Sequence, residues 1–192
     1  MAKAKYFVGE EYETPCGKVK VLEIIPRLKG VSGRSNKRAV IRFVDSGYTC
    51  NIQLSNLPLG KVKDRRQPTV YGVGYLDMDI TIPKRGDSIV RRIYDLWANM
   101  LKRCYGDKDS RNWNYYKDVI VDKRWHSFKQ FMSTIHLVEG YELWEKDSSM
   151  HLDKDLSGEK IYSLTTTRFM TSSENARLAN QKRWHGSVTA PC

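Results

Sequence analysis

The period of hydrophobic positions changes once along this chain, near residue 87. Before that point apolar and polar residues alternate in short runs: Lys18-Val19-Lys20-Val21-Leu22-Glu23-Ile24, then Arg38 to Phe43, then Tyr48 to Leu54. Alternation sends successive side chains to opposite faces, so each run predicts a half-buried β-strand. Asp45-Ser46-Gly47 predicts the turn between the second and third runs. Gly9, Gly17, Gly30, Gly33, Gly47 and Gly60 fall at turn positions along the segment. After residue 87 the spacing becomes helical. Ile89, Ile93, Trp97, Met100, Leu101 and Cys104 recur on one face of a helix opened by Asp87 or Ser88, and Gly106-Asp107 ends it.

The short strands of residues 1–82 predict a small all-β module, a barrel resembling SH3 or Tudor modules. Its loop from Lys29 to Arg38, rich in Gly, Ser and basic residues, is either a track for a phosphate backbone or a solvated hairpin tip. Pro68 to Tyr75 predicts a further strand whose glycines admit close backbone approach; no helix follows Gly72-Val73-Gly74, so a dinucleotide loop is discounted. Ile80 to Gly86 reads as a linker to an α+β domain over 87–184, and 185–192 reads as a tail. Within that domain Val119-Ile120-Val121 predicts a short strand. Ser127 predicts the cap of a helix carrying Phe128, Phe131, Met132 and Ile135, with Trp125 placed as a hydrophobic staple.

The densest chemistry lies between Met150 and Arg183. His151, Asp153 and Asp155 share the run His-Leu-Asp-Lys-Asp; a Gly turn and a Thr-rich strand follow. The last helix is predicted to open near Thr171 or Ser172, with Thr171 and Glu174 spaced as a capping box and Asn175 in the first turn. A hairpin carrying His and Asp, feeding a helix that carries Asn, is the skeleton of a ββα-metal nuclease site. There one divalent cation faces a scissile phosphate while an imidazole activates water. The helix body is polar on most faces, so burial gives it little and a metal, DNA or the hairpin itself must hold it.

Charge narrows the partner. The net charge is +11 with a pI near 9.5, which favours a polyanion. Residues 1–86 hold 16 Lys and Arg against 8 Asp and Glu, whereas residues 87–192 hold 17 against 14, so most of the excess is N-terminal. The candidate phosphate contacts are Arg34, Lys37, Arg38, Lys61, Lys63, Arg65, Arg66, Arg91, Arg92, Lys102, Arg103, Arg177, Lys182 and Arg183. The bland alternative is a solvated basic surface. No apolar run reaches the roughly 18 residues of a membrane span, and the first residues lack the apolar core of a signal peptide. Cys16, Cys50, Cys104 and Cys192 form no CxxC pair, so no zinc is expected and a reducing cytosol fits.

Leu96-Trp97, Met100-Leu101, Arg103-Cys104-Tyr105, Trp125, Phe128, Phe131, Leu152-Asp153-Lys154-Asp155, Lys160, Tyr162-Ser163 and Glu174-Asn175 occur in an order that resembles a tailed-phage family described as HNH-like or homing-endonuclease-like. Gly47-Tyr48, Leu59 to Asp64 and Pro68 to Tyr75 resemble the module that precedes this domain in phage relatives. The resemblance spans about residues 6–180 and implies a DNA-binding protein of the host bacterial cytoplasm. It also implies a possible Mg²⁺-dependent HNH endonuclease in which His151 is the base and Asp153, Asp155 and Asn175 are metal ligands. Many relatives continue into an Apetala-type DNA-binding module; this chain stops at Cys192, so recognition of a long site is not expected. It also departs from the pattern: Met150 precedes His151, and Thr165 to Thr167 stand where relatives carry the Asn that orients the His. Two functions therefore stay open, an active nuclease and a binder on a nuclease-derived fold. A third is a phage protein docking on a host nucleoprotein machine, RNA polymerase or the ribosome, with RNA as a further partner.

Overall fold

The computed structural model describes residues 6–25, 37–84, 86–107, 113–147, 149–154 and 159–178. Backbone contacts divide the chain into two units, Met1–Gln67 and Pro68–Cys192. Taken together, their strands and helices make an α+β chain.

The first unit is a four-stranded antiparallel sheet in the order β1 (Glu11–Thr14), β2 (Gly17–Ile25), β3 (Arg38–Phe43), β4 (Thr49–Gln53). Val19 and Val21 on β2 meet Phe43 and Ile41 on β3, and Ala39 meets Ile52 on β4, so one face is apolar and buried. The alternation falters at Leu22-Glu23, and there a β-bulge between Val21 and Glu23 resets the register so that Ile24 again opposes Ala39. The expected barrel is corrected here: among the described residues the sheet stays open. After Gln53 the chain enters a 3₁₀ turn, Leu54–Asn56, instead of another strand. Leu54, Leu57 and Val62 then cover the inner face that a closing strand would have covered.

The second unit is built around α1 (Ile89–Tyr105), α2 (Trp113–Tyr116), β5 (Ile120–Val121), α3 (Phe128–Thr134), α4 (Tyr141–Lys146), β6 (His151–Asp153), β7 (Ile161–Tyr162), β8 (Arg168–Met170) and the helical residues 172–178, α5. The Ser88 hydroxyl accepts from Arg91 N at the start of α1, as its cap position predicts. Ile93, Trp97, Met100, Leu101 and Cys104 are buried along the predicted stripe. Fully buried Trp97 also donates its indole N–H to the Trp125 carbonyl at 2.7 Å, which joins α1 to the segment before α3. The Ser127 hydroxyl caps α3, and Trp125 sits edge-on to Phe131 with ring centroids 5.1 Å apart, the staple contact expected.

Val70, Val73, Leu76, Met78 and Ile82 pack on this second core. Residues 70–75, expected as a strand, form instead a tight turn. Tyr71 and Gly72 both have positive φ (50° and 74°), Val73 N donates to the Val70 carbonyl, and Val70 bridges Gly74. This is type I′ geometry, which twists with the flanking backbone and needs glycine at its second central position. The close approach expected of the glycines is present at Gly74, which faces Trp97 and Leu101.

Candidate nucleic-acid interface

Strand β6 pairs antiparallel with β8, placing His151 opposite Met170, Leu152 opposite Phe169 and Asp153 opposite Arg168. Leu152 and Phe169 point into the core, so His151 and Asp153 share the other face. Thr171 follows β8 and opens α5. Its backbone N–H donates to the Glu174 carboxylate at 2.8 Å, and Glu174 N donates back to the Thr171 hydroxyl at 3.2 Å. The capping box therefore forms with both reciprocal bonds, and the bond from Thr171 holds the Glu174 carboxyl below its ordinary range.

The exposed His151 ring lies on the wall of a cleft of about 500 Å³ between α1 and β6. Leu96, Asn99, Lys102 and Arg103 come to this cleft from α1 and Asp107 from just beyond its end, while Met150 and Leu152 flank the His. Residues 96, 99 and 103 recur at helical spacing beside the apolar stripe, which is why one helix face supplies them together. His151 Nε2 is 2.9 Å from Ser172 Oγ. Asn99 was not singled out from the sequence, and Ser172 only as a candidate opening residue of the last helix. Asn99 was signalled by its one-turn spacing to Arg103, whereas nothing local marks Ser172 as a partner of His151.

Arg103 is the electrostatic centre of the cleft. Its guanidinium lies over the rings of Tyr116 and Tyr162, 5.7 and 5.3 Å from their centroids. It reaches the Leu152 carbonyl only at 3.5 Å, and its buried Nε has no partner. The Lys154 ammonium stands 5.5 Å from the Tyr116 ring on the same cluster. Burial pushes the Tyr162 phenol far up and the Cys104 thiol up to about 11, outweighing the cation of Arg103, so both stay neutral. The result is a cleft lined by two cations and one carboxylate, Asp107, with neutral aromatic groups packed behind Arg103.

The predicted site residues fall into distinct groups. Asp153 is nearly buried; one carboxylate oxygen accepts from Lys154 N at 2.8 Å and the other has no partner. Asn175 is exposed on α5, its N–H donating to the Thr171 carbonyl. Asp155, Arg34, Lys182 and Arg183 lie outside the described residues. Thr165 to Thr167, expected on the strand before α5, belong to the approach to β8. Their hydroxyls are occupied there: Thr166 bonds Ser163 and the Ile161 carbonyl, and Thr167 accepts from Ser163 N. Among the described residues no three of His, Cys, Asp and Glu gather as a cation site.

Of the basic candidates, Lys102 and Arg103 are at the cleft and Arg177 is exposed on α5. Arg91 pairs with Asp95 and donates to the Pro83 carbonyl. Arg92 stacks on Trp144, 4.7 Å from the ring centroid, and donates to the carbonyls of Trp144 and Glu145 at the end of α4. In the first unit Lys37, Lys61 and Lys63 are exposed, Arg65 is half-buried, Arg66 donates to the Ser46 carbonyl, and Arg38 lies on β3. Among the described residues no helix is long and apolar enough to cross a membrane. No protein-family model matches the chain, and neither a curated protein nor a solved structure matches it.

Proposed function

We propose that the chain is a DNA-binding protein on an HNH-nuclease-like ββα element, with a backbone phosphate seated in the cleft between α1 and β6. The observation that carries this reading is that exposed His151 on β6 and the cations of Lys102 and Arg103 on α1 line the same cleft. The Arg103 guanidinium is held against two aromatic rings, and its terminal nitrogens have only long, 3.5 Å contacts to one carbonyl, which leaves them able to turn to a phosphate oxygen. Lys102, exposed beside it, supplies a second point charge. The β6–β8 hairpin and α5 follow the order that the phage HNH-like resemblance implies.

Phosphodiester hydrolysis is the second reading, and Asp153 favours it. Its carboxylate has one buried oxygen without a hydrogen-bond partner and would be one ligand of a Mg²⁺ ion, which when bound would supply Lewis-acid polarisation of the phosphate. His151 would serve as base through Nδ1 when its Nε2–H donates to Ser172, since that bond sets which ring nitrogen keeps a free lone pair.

Both readings are tested with the full chain. Binding to a labelled duplex should weaken with rising salt, and Lys102→Ala should lower the log–log salt slope by about 1. Affinity independent of salt, or untouched by Lys102→Ala, overturns the cleft as a phosphate site. Plasmid nicking in Mg²⁺, Mn²⁺ and EDTA, with His151→Ala alongside, decides hydrolysis. Equal cutting by wild type and variant removes His151 from the chemistry.

A further inference from the structure

The first unit presents a second basic surface, on the solvent face of its sheet. The register sets Glu11, Lys20, Arg42 and Thr49 in one row across β1 to β4. The next rows hold Glu23, Val40 and Asn51, then Ile25, Arg38 and Gln53. Lys20 and Arg42 thus stand directly opposite each other. Like charges in a cross-strand pair disfavour the sheet, so this arrangement works against stability.

Glu11 stands opposite Lys20 and Glu23 lies in the next row, yet among the described residues neither forms an ion pair with Lys20, Arg38 or Arg42. Arg38 Nε donates to the Asn51 side-chain oxygen at 3.0 Å, and Arg42 Nε reaches the Thr49 hydroxyl at 3.5 Å; both acceptors are uncharged. Glu11 is taken by Lys18 at 3.0 Å. Among the described residues no carboxylate stands at ion-pair distance from Lys20, Arg38 or Arg42. Neutral anchoring orients each guanidinium while leaving its terminal nitrogens and full charge toward solvent. At about 3.3 Å per residue and 4.8 Å per strand, the three cations span a patch of roughly 13 by 5 Å. Thr49, Asn51 and Gln53 edge it with exposed hydrogen-bonding groups.

We propose that this face is a DNA-backbone contact in its own right, seating the phosphates of a duplex across β2, β3 and β4. The duplex is favoured over a single strand because the rows described carry no aromatic side chain on which an unpaired base would stack. Arg and Lys beside Thr and Asn are the groups that contact phosphate oxygens and set register without reading sequence. The contact belongs to the first unit and does not depend on the cleft.

The experiment is a salt titration of duplex binding by the full chain carrying Lys20→Gln, Arg38→Gln and Arg42→Gln together. The expected result is a log–log salt slope smaller by about 2 to 3 and an affinity lower by about tenfold or more at moderate salt. A charge-matched control, Lys117→Gln with Lys123→Gln and Lys129→Gln, should change the slope far less. An unchanged slope in the sheet variant overturns the proposal, as does an equal loss in the control, which would reduce the effect to net charge. Preference for a single strand of equal length over the duplex overturns it too. Arg42→Gln alone relieves the like-charge pair, so its thermal midpoint should equal or exceed that of wild type while binding still falls. A lower midpoint with unchanged binding would make Arg42 a structural residue.

Discussion

His151 Nε2 and Ser172 Oγ, 21 residues apart in the chain, lie 2.9 Å from each other and tie the first strand of the hairpin to the first turn of α5. A hydroxyl can donate to or accept from a ring nitrogen, so the contact restrains the ring and the first turn of α5 in either tautomer. Ser172→Ala should therefore loosen that turn, read as faster amide exchange at Glu174 and Asn175, with the α1 core unchanged. Unchanged exchange would mean that the contact does not hold the helix to β6.

Helix α5 depends on its cap. It is exposed along most of its length, so the Thr171–Glu174 box is its main described anchor. Thr171→Ala should cost about 1 kcal/mol of local helix stability, read as faster amide exchange at Glu174 and Asn175. Because the Glu174 carboxyl is held below its ordinary value of 4.5, its contribution is fully present above that pH and is lost below it, as the pH falls through the lowered folded-state value. Amide protection in α5 should drop on acidification before the α1 core opens, and Glu174→Gln should remove that dependence.

Gly74 meets the core too closely for any side chain. A Cβ there would stand 2.5 Å from Leu101 Cδ1 and 2.9 Å from the Trp97 ring, both on the fully buried stripe of α1. Gly74→Ala should therefore destabilise the second unit by about 1–3 kcal/mol, visible as a lower denaturation midpoint followed by tryptophan fluorescence. The neighbouring Gly72→Ala meets open space but a φ of 74°, and should cost about 1 kcal/mol.

His126 makes the stability of this unit sensitive to mild acid. Burial lowers its pKa below 6.5, and the ring sits edge-on to Tyr105 with Nε2 3.4 Å from the phenol oxygen. The unfolded chain then takes up a proton near pH 6.5 that the folded ring still refuses, so stability is present above that pH and declines as pH falls below it. Urea midpoints should drop between about pH 7 and pH 5.5. His126→Gln should flatten that decline; an identical decline would assign it to other groups.

The strands at β2, β3 and β4, the stripe of α1, and the caps at Ser88, Ser127 and Thr171 were legible because each rests on near neighbours in the chain. Period two, period 3.6 and side-chain caps are local physics. The expected barrel and the strand at residues 70–75 were not, because both depended on what lay opposite. Leu54, Leu57 and Val62 took the place of a closing strand, and Trp97 with Leu101 drew Gly74 into a turn. The Thr run misled for a related reason: Thr165 to Thr167 suit a strand by propensity, yet Ser163 N and the Ile161 carbonyl needed their hydroxyls in a turn.

By itself the sequence determined the alternation that buries one sheet face, the apolar stripe of α1, the basic charge, and the His-Leu-Asp run with a capped helix after it. These follow from residue type and spacing over a few positions. Only tertiary structure decided that His151 would bond Ser172, that Arg103 would stack on two tyrosines, that Arg92 would be spent on Trp144, and that Lys20 would face Arg42. Each of those pairs joins residues separated by 13 to 59 positions, and strand register and helix packing, which no local pattern encodes, bring them within reach.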